Sequence, residues 1–202
     1  QLSGTSRESS LNEINNIINK STFTYIRQKQ MLGLGHAILT GEPLIGEQPF
    51  AVILADDLCE CPDQGLISKM LEIFNQYKCS VVAIKEVPLN QTKKYGIVSA
   101  NLLNNSNDIY EVNNMVEKPD IECAPSNLAI VGRYILTPDI FNILKKTKPD
   151  KNGELQITDA LNIQAKKGKL LAYKFKGTRF DCGSVRGYLD ANNHFAKKIG
   201  LK

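Results

Sequence analysis

With 202 residues, 42% hydrophobic and 23% charged content, the chain has the makeup of one globular domain with room for a sizeable core. Its apolar runs, such as 128–131, are too short to span a bilayer, and no N-terminal stretch has the organisation of a signal peptide, so a cytoplasmic protein without membrane contact is expected. A net charge of +4, with lysines paired only near expected helix ends, lacks the clustered basic patch of a nucleic-acid binder.

The predicted elements follow in chain order. Leu11, Ile14, Ile17 and Ile18 recur at helical spacing and predict an amphipathic helix over 7–20. Residues 23–28 read as a strand. They lead into Gly33-Leu34-Gly35-His36-Ala37, a glycine-rich turn opening a helix that runs towards Leu44. Residues 50–55 form a continuous apolar run, the pattern of a strand buried on both faces in the middle of a sheet, and the run stops at Asp56-Asp57. A helix over 64–77 comes next, with Leu66, Met70, Leu71, Ile73 and Phe74 inward, then an apolar, β-branched central strand over 80–84. This alternation predicts an α/β fold with a largely parallel, doubly wound sheet.

The second half is more mixed. Strands are expected over 95–100, 109–117, 128–136 and 170–175, with the turn-rich stretch 104–108 between the first two. A short helix beginning at Pro138 turns Ile140, Phe141 and Leu144 inward, and further helices are expected over 154–167 and 184–198. Neither an internal repeat nor a linker divides the sequence, so 1–202 reads as a single domain.

Ligands of open α/β sheets bind beyond the carboxyl ends of the strands. Asp56 stands at such an end, where a carboxylate suits a hard cation such as magnesium or, equally, the cap of the next helix. Asp57 reads as that cap. Asp181, between an expected strand and helix, is more often a cap than a ligand when taken alone; paired with Asp56 it would complete a two-carboxylate site. Glu117-Lys118-Pro119 ends another strand, setting an acceptor for sugar hydroxyls beside a cation for phosphate. Five cysteines, an odd number, and only two histidines argue against a disulfide scaffold, a zinc site and a triad-type nucleophile.

Several blocks occur together in order: Gln28 with Gly33 to Ala37, the strand ending at Asp56, Tyr95-Gly96, Val116 to Pro119, Ala124 to Tyr134, Glu154 to Ala160, and Asp181-Cys182-Gly183. In this order the chain resembles the bacterial UTP–glucose-1-phosphate uridylyltransferases over nearly its whole length. The resemblance implies a Rossmann-like nucleotidyltransferase fold with a mixed, mostly parallel central sheet flanked by helices. It implies that Gln28 and the backbone at Gly33 read uracil, and that Asp56 and Asp181 hold Mg2+. It further implies that Gly96, Glu117 and Gly132 line the glucose pocket and that Lys118 meets the sugar phosphate. The implied substrates are UTP and glucose 1-phosphate, joined by in-line attack on the α-phosphorus, in an enzyme that usually forms homo-oligomers.

Family members begin with a strand and a glycine-rich loop containing Gly-Thr-Arg that wraps the nucleotide phosphates. Here Gly4-Thr5-Ser6-Arg7 is only an echo, without a preceding apolar strand, and is read as a helix start. The 202 residues are therefore expected to be part of a longer enzyme, poorly active by themselves. A thymidylyl- or cytidylyltransferase, a metal-dependent glycosyltransferase and a non-catalytic module derived from such an enzyme are the alternatives. The glycosyltransferase usually wants an Asp-x-Asp motif, which Asp56-Asp57-Leu58 does not provide.

Overall fold

The computed structural model describes residues 4, 8–62 and 64–201. Thr5, Ser6 and Arg7, part of the helix start read from the sequence, lie outside the described residues. Helix α1 (Glu8–Asn19) forms as its periodicity predicts, with Ile14, Ile17 and Ile18 exposed. Residues 23–28 form no strand, a correction to the expectation; they lead without regular structure to α2 (Leu34–Thr40) and the single turn α3 (Glu42–Ile45).

Six strands make the main sheet: β1 (Phe50–Ile53), β3 (Ser80–Glu86), β4 (Gly96–Leu102), β5 (Ile109–Glu117), β6 (Leu128–Leu136) and β7 (Leu170–Lys174), in the spatial order β1-β6-β3-β7-β5-β4. A separate two-stranded ribbon pairs β2 (Asp57–Glu60) with β8 (Thr178–Asp181). Helices α4 (Leu66–Tyr77), α5 (Asp139–Leu144), α6 (Ile157–Ala165) and α7 (Val185–Lys198) complete the chain. The last of these is capped by Ser184, whose Oγ accepts from the Gly187 amide at 3.1 Å. No helix of the described residues is long and apolar enough to cross a membrane.

The α/β class and the mixed sheet flanked by helices are as expected, but the parallel character is confined. Among the described residues only β3 and β7 run parallel; β6 pairs antiparallel with β1, β3 and β4, and β5 pairs antiparallel with β4 and β7. Helix-then-strand order in the first half suggested parallel neighbours. The strands that actually flank β3 come from the second half of the chain, where β6 returns in the opposite sense.

Strand β3 is central because it can be. Ser80 to Ile84 are all buried, and the period of two sends Val81 and Ala83 against α4 while Val82 and Ile84 join the cluster beneath α5 and α6. Each fully buried Val or Ile of this kind contributes about 1.5–3 kcal/mol of transfer free energy. Strand β1, expected in the middle, instead lies at the sheet edge and alternates in burial. Phe50 stacks on Phe141 with ring centroids 5.1 Å apart, and Val52 packs on the same cluster, whereas Ala51 and Ile53 face outward. Leu71 of α4 is also exposed rather than inward, and α6 begins at Ile157, three residues later than the sequence suggested.

Candidate active site

The carboxyl end of β1, the start of β4, the end of β5, the middle of β6, the first turn of α6 and the end of β8 converge on one cleft of about 340 Å³. Six of the residues singled out in the sequence line it: Asp56, Gly96, Glu117, Lys118, Gly132 and Asp181. Gln28 and Gly33 do not, although Leu34, next in the chain, does. Gln28 Nε2 donates to the Gly33 carbonyl at 3.2 Å and lies 2.9 Å from His36 Nδ1, so its amide is already engaged within the turn. Gly33 itself has φ +87, and a Cβ there would stand 2.9 Å from the Leu155 carbonyl oxygen, so backbone packing alone demands glycine.

Asp56 and Asp181 meet across Gly183. Asp56 Oδ2 and Asp181 Oδ1 lie 2.9 and 3.2 Å from the point a Gly183 Cβ would occupy, and the Cys182 amide donates to the Asp56 carbonyl at 2.7 Å. Two hard oxygen donors facing one small space fit magnesium, which is usually held by one or two carboxylates plus substrate phosphates. Among the described residues no group of three or more His, Cys, Asp or Glu side chains that could hold a metal ion is present.

Asp57, expected to cap a helix, does something else. Its side chain is 8% exposed; Oδ1 accepts from Arg179 Nε at 2.5 Å and Oδ2 from the Gly132 amide at 2.7 Å. Arg133 reinforces this corner by donating to the backbone carbonyls of Asp57, Leu54 and Gly132. Burial works against the charge of Arg179, yet the hydrogen bond and charge of Asp57 outweigh it, holding the guanidinium pKa above its usual value. Gly132 is tight for the same reason: a Cβ would stand 2.6 Å from Leu54 Cβ and 2.7 Å from Asp57 Oδ2.

On the other wall, Glu117 Oε2 accepts from Thr158 Oγ1 at 2.5 Å, in the first turn of α6, where the helix dipole also favours an anion. Its other oxygen faces Lys118 Nζ at 3.7 Å. Lys118 adopts φ +45 directly before a proline, a conformation that costs a non-glycine residue about 1–3 kcal/mol. Its amide is tied to the Tyr95 carbonyl at 3.0 Å, and its side chain remains 57% exposed, open to an incoming anion. Tyr134, a buried residue that also lines the cleft, has its pKa raised first by burial and then by the charges of Glu117 and Asp57.

Sequence reasoning missed Asp57, Tyr95, Thr158 and Arg179 as parts of this cleft. For Arg179 a signal existed: in the short strand Thr178–Asp181 the period of two puts Arg179 and Asp181 on one face.

The family model described as "Nucleotidyl transferase" matches residues 3–198. A UTP–glucose-1-phosphate uridylyltransferase of Pseudomonas aeruginosa is 56% identical over 194 residues, covering 96% of this chain and 69% of that protein. A solved UDP-glucose pyrophosphorylase complexed with UDP-glucose superposes with a TM-score of 0.91 at 57% identity, covering 95% of this chain and 72% of the other. A UTP-bound UGPase from Acinetobacter baumannii superposes with a TM-score of 0.81 at 33% identity, covering 95% of this chain and 67% of the other.

Proposed function

The chain belongs to the nucleotidyl transferase family, and on that premise we propose that its cleft is the sugar-phosphate and metal side of an enzyme that makes UDP-glucose and pyrophosphate from UTP and glucose 1-phosphate. The observation that carries this reading is that Gly96, Glu117, Lys118 and Gly132 share one cleft with Asp56 and Asp181. A uridylyltransferase relative at 56% identity and a UDP-glucose-bound structure at 57% support the same substrates.

In this reading Glu117, steadied by Thr158, accepts hydrogen bonds from glucose hydroxyls, and Gly96 leaves room for the ring beside it. Lys118 neutralises the sugar phosphate and aims one of its oxygens at the α-phosphorus of UTP. The bond that forms joins that oxygen to the α-phosphorus; the bond that breaks joins the α-phosphorus to the bridging oxygen, which leaves with pyrophosphate. The nucleophile is already an anion, so no side chain has to remove a proton, and rate comes from positioning and charge neutralisation. Asp56 and Asp181 would hold magnesium, which when bound neutralises charge on the nucleotide phosphates. Gln28 and the turn at Gly33 are assigned to the base.

Pyrophosphate release by the full-length enzyme, measured with glucose 1-phosphate and UTP, dTTP or CTP in turn, tests the reading. UTP is expected to be preferred, and a preference for dTTP or CTP overturns the nucleotide assignment. Asp56→Asn is expected to lower kcat severely without lowering the melting temperature. Full activity of that variant in magnesium removes Asp56 from the metal site.

A further inference from the structure

The two oxygens of Asp181 have different neighbours. Oδ1 faces Asp56 across Gly183, whereas Oδ2 accepts a hydrogen bond from the Tyr95 hydroxyl at 3.2 Å, with Arg179 Nη2 4.0 Å away. The Tyr95 ring lies beneath the Arg179 guanidinium, whose carbon is 4.6 Å from the ring centroid. That guanidinium is fixed in turn by Asp57, which also grips the Gly132 amide of β6. Tyr95 is held from its own backbone as well: its amide donates to the Thr92 carbonyl at 3.1 Å, and its carbonyl accepts from Lys118. A line of contacts thus runs from the main sheet, through Asp57, Arg179 and Tyr95, to one oxygen of Asp181.

The terminal torsion of an aspartate is broad, so an unheld carboxylate samples many orientations. Partners outside the ligand set commonly remove that freedom and thereby raise metal affinity. We propose that Tyr95 is a positioning residue for the divalent-cation site: by engaging Oδ2 it turns Oδ1 of Asp181 towards Asp56, while Arg179 clamps the Tyr95 ring. The cation–π contact suits this task, because a guanidinium stacked on a ring restrains the ring's plane while leaving the hydroxyl free to donate. The proposal rests on the reading of Asp56 and Asp181 as the metal pair.

The test is Mn2+ binding to the full-length enzyme, read from the electron paramagnetic resonance signal of the free ion, without nucleotide or sugar. Tyr95→Phe keeps the ring beneath Arg179 and removes only the hydroxyl; Tyr95→Leu removes both. Each is expected to weaken Mn2+ binding by about tenfold to a hundredfold, while Asp56→Asn and Asp181→Asn reduce it to background. If Tyr95→Phe binds Mn2+ as tightly as the wild type, the proposal is overturned, and if only Tyr95→Leu is weakened, ring packing rather than the hydroxyl is responsible and the proposal fails likewise. If the two aspartate variants still bind Mn2+ normally, the metal reading itself is wrong, an outcome distinct from failure of the Tyr95 role alone.

Discussion

The six-stranded sheet and the two-stranded ribbon are held in place by different forces. In the sheet, β3 is buried from Ser80 to Ile84, and its stability comes from many apolar contacts on both faces, no one of them decisive. In the ribbon, Asp57 is the one buried residue of β2 and β8, and a two-stranded unit of that length has little stability of its own. Beside the packing of Cys59 on the apolar cluster and of Phe180 under α7, its position is set by a few polar links: Asp57 to Arg179 and Gly132 at one end, and Glu60 to His194 and Lys198 at the other. The ribbon also carries Asp181. The difference teaches that the precision of the site depends on a handful of charge-assisted hydrogen bonds, whereas the bulk of the fold depends on burial.

Removing one polar link should therefore cost as much as removing a large core side chain. Asp57→Ala leaves the Arg179 guanidinium, 11% exposed, without its nearest carboxylate, the next being Asp181 at 4.0 Å, and the Gly132 amide without an acceptor. A loss of about 3–5 kcal/mol is expected, read as a lowered midpoint in urea. Leu161→Ala, in the fully buried face of α6, is expected to cost about 3 kcal/mol by leaving a cavity. The two variants should differ in the site: Leu161→Ala lowers stability while the KM for glucose 1-phosphate holds, and Asp57→Ala raises that KM as well. Equal KM values in both would break the comparison.

Gly132→Ala tests the junction between sheet and ribbon. The new methyl would stand 2.6 Å from Leu54 Cβ and 2.7 Å from Asp57 Oδ2, so one of them must shift. A cost of about 1–3 kcal/mol is expected. Because the crowding acts on Asp57, the double variant with Asp57→Ala should cost less than the two single losses together. Strict additivity would show that the crowding is absorbed by Leu54 instead.

How much of this was legible in the sequence follows from the same division. Apolar runs announced the strands at 80–84 and 128–136, because burial is a local pattern. Period-two patterning says that a strand exists but not which way its neighbour runs, so the antiparallel return of β6 beside β3 was invisible. The apolar run at 50–55 suggested a strand covered on both faces, yet β1 pairs with β6 alone and exposes Ile53. Six cleft residues were found because strand ends and ordered blocks mark them. Asp57 was misread as a cap because its partner Arg179 stands 122 positions away, and no local spacing announces an ion pair of that kind. Tyr95 and Thr158 were passed over for the same reason, since each acts through a residue distant in the chain.

The smallest effect is expected at the far end of the ribbon. Glu60 Oε2 lies 2.5 Å from His194 Nε2, and its other oxygen accepts from Lys198 Nζ, so Glu60 ties α7 to β2. Phe180 lies under the same helix, its ring centroid 5.0 Å from that of His194 and 5.9 Å from that of Phe195. The hydrogen bond from Lys198, and then that from His194, hold the Glu60 carboxyl below its ordinary value of 4.5. A carboxylate depressed in the folded state contributes stability that is fully present above its unfolded value and is lost as pH falls through the folded one. The tie between α7 and the ribbon should therefore be intact at neutral pH and weaken only as pH drops below the ordinary carboxylate value. Glu60 is near the surface, so water screens the interaction and the total effect is small. Amide hydrogen exchange along Val185–Lys198 should accelerate on acidification in the wild type relative to the core of β3. In Glu60→Gln, which keeps the side-chain length but cannot ionise, exchange in α7 should already be faster at neutral pH and change less on acidification. If both proteins show the same acid response, the far end of the ribbon is held by the Phe180 and Phe195 packing, and the polar rule applies only at Asp57.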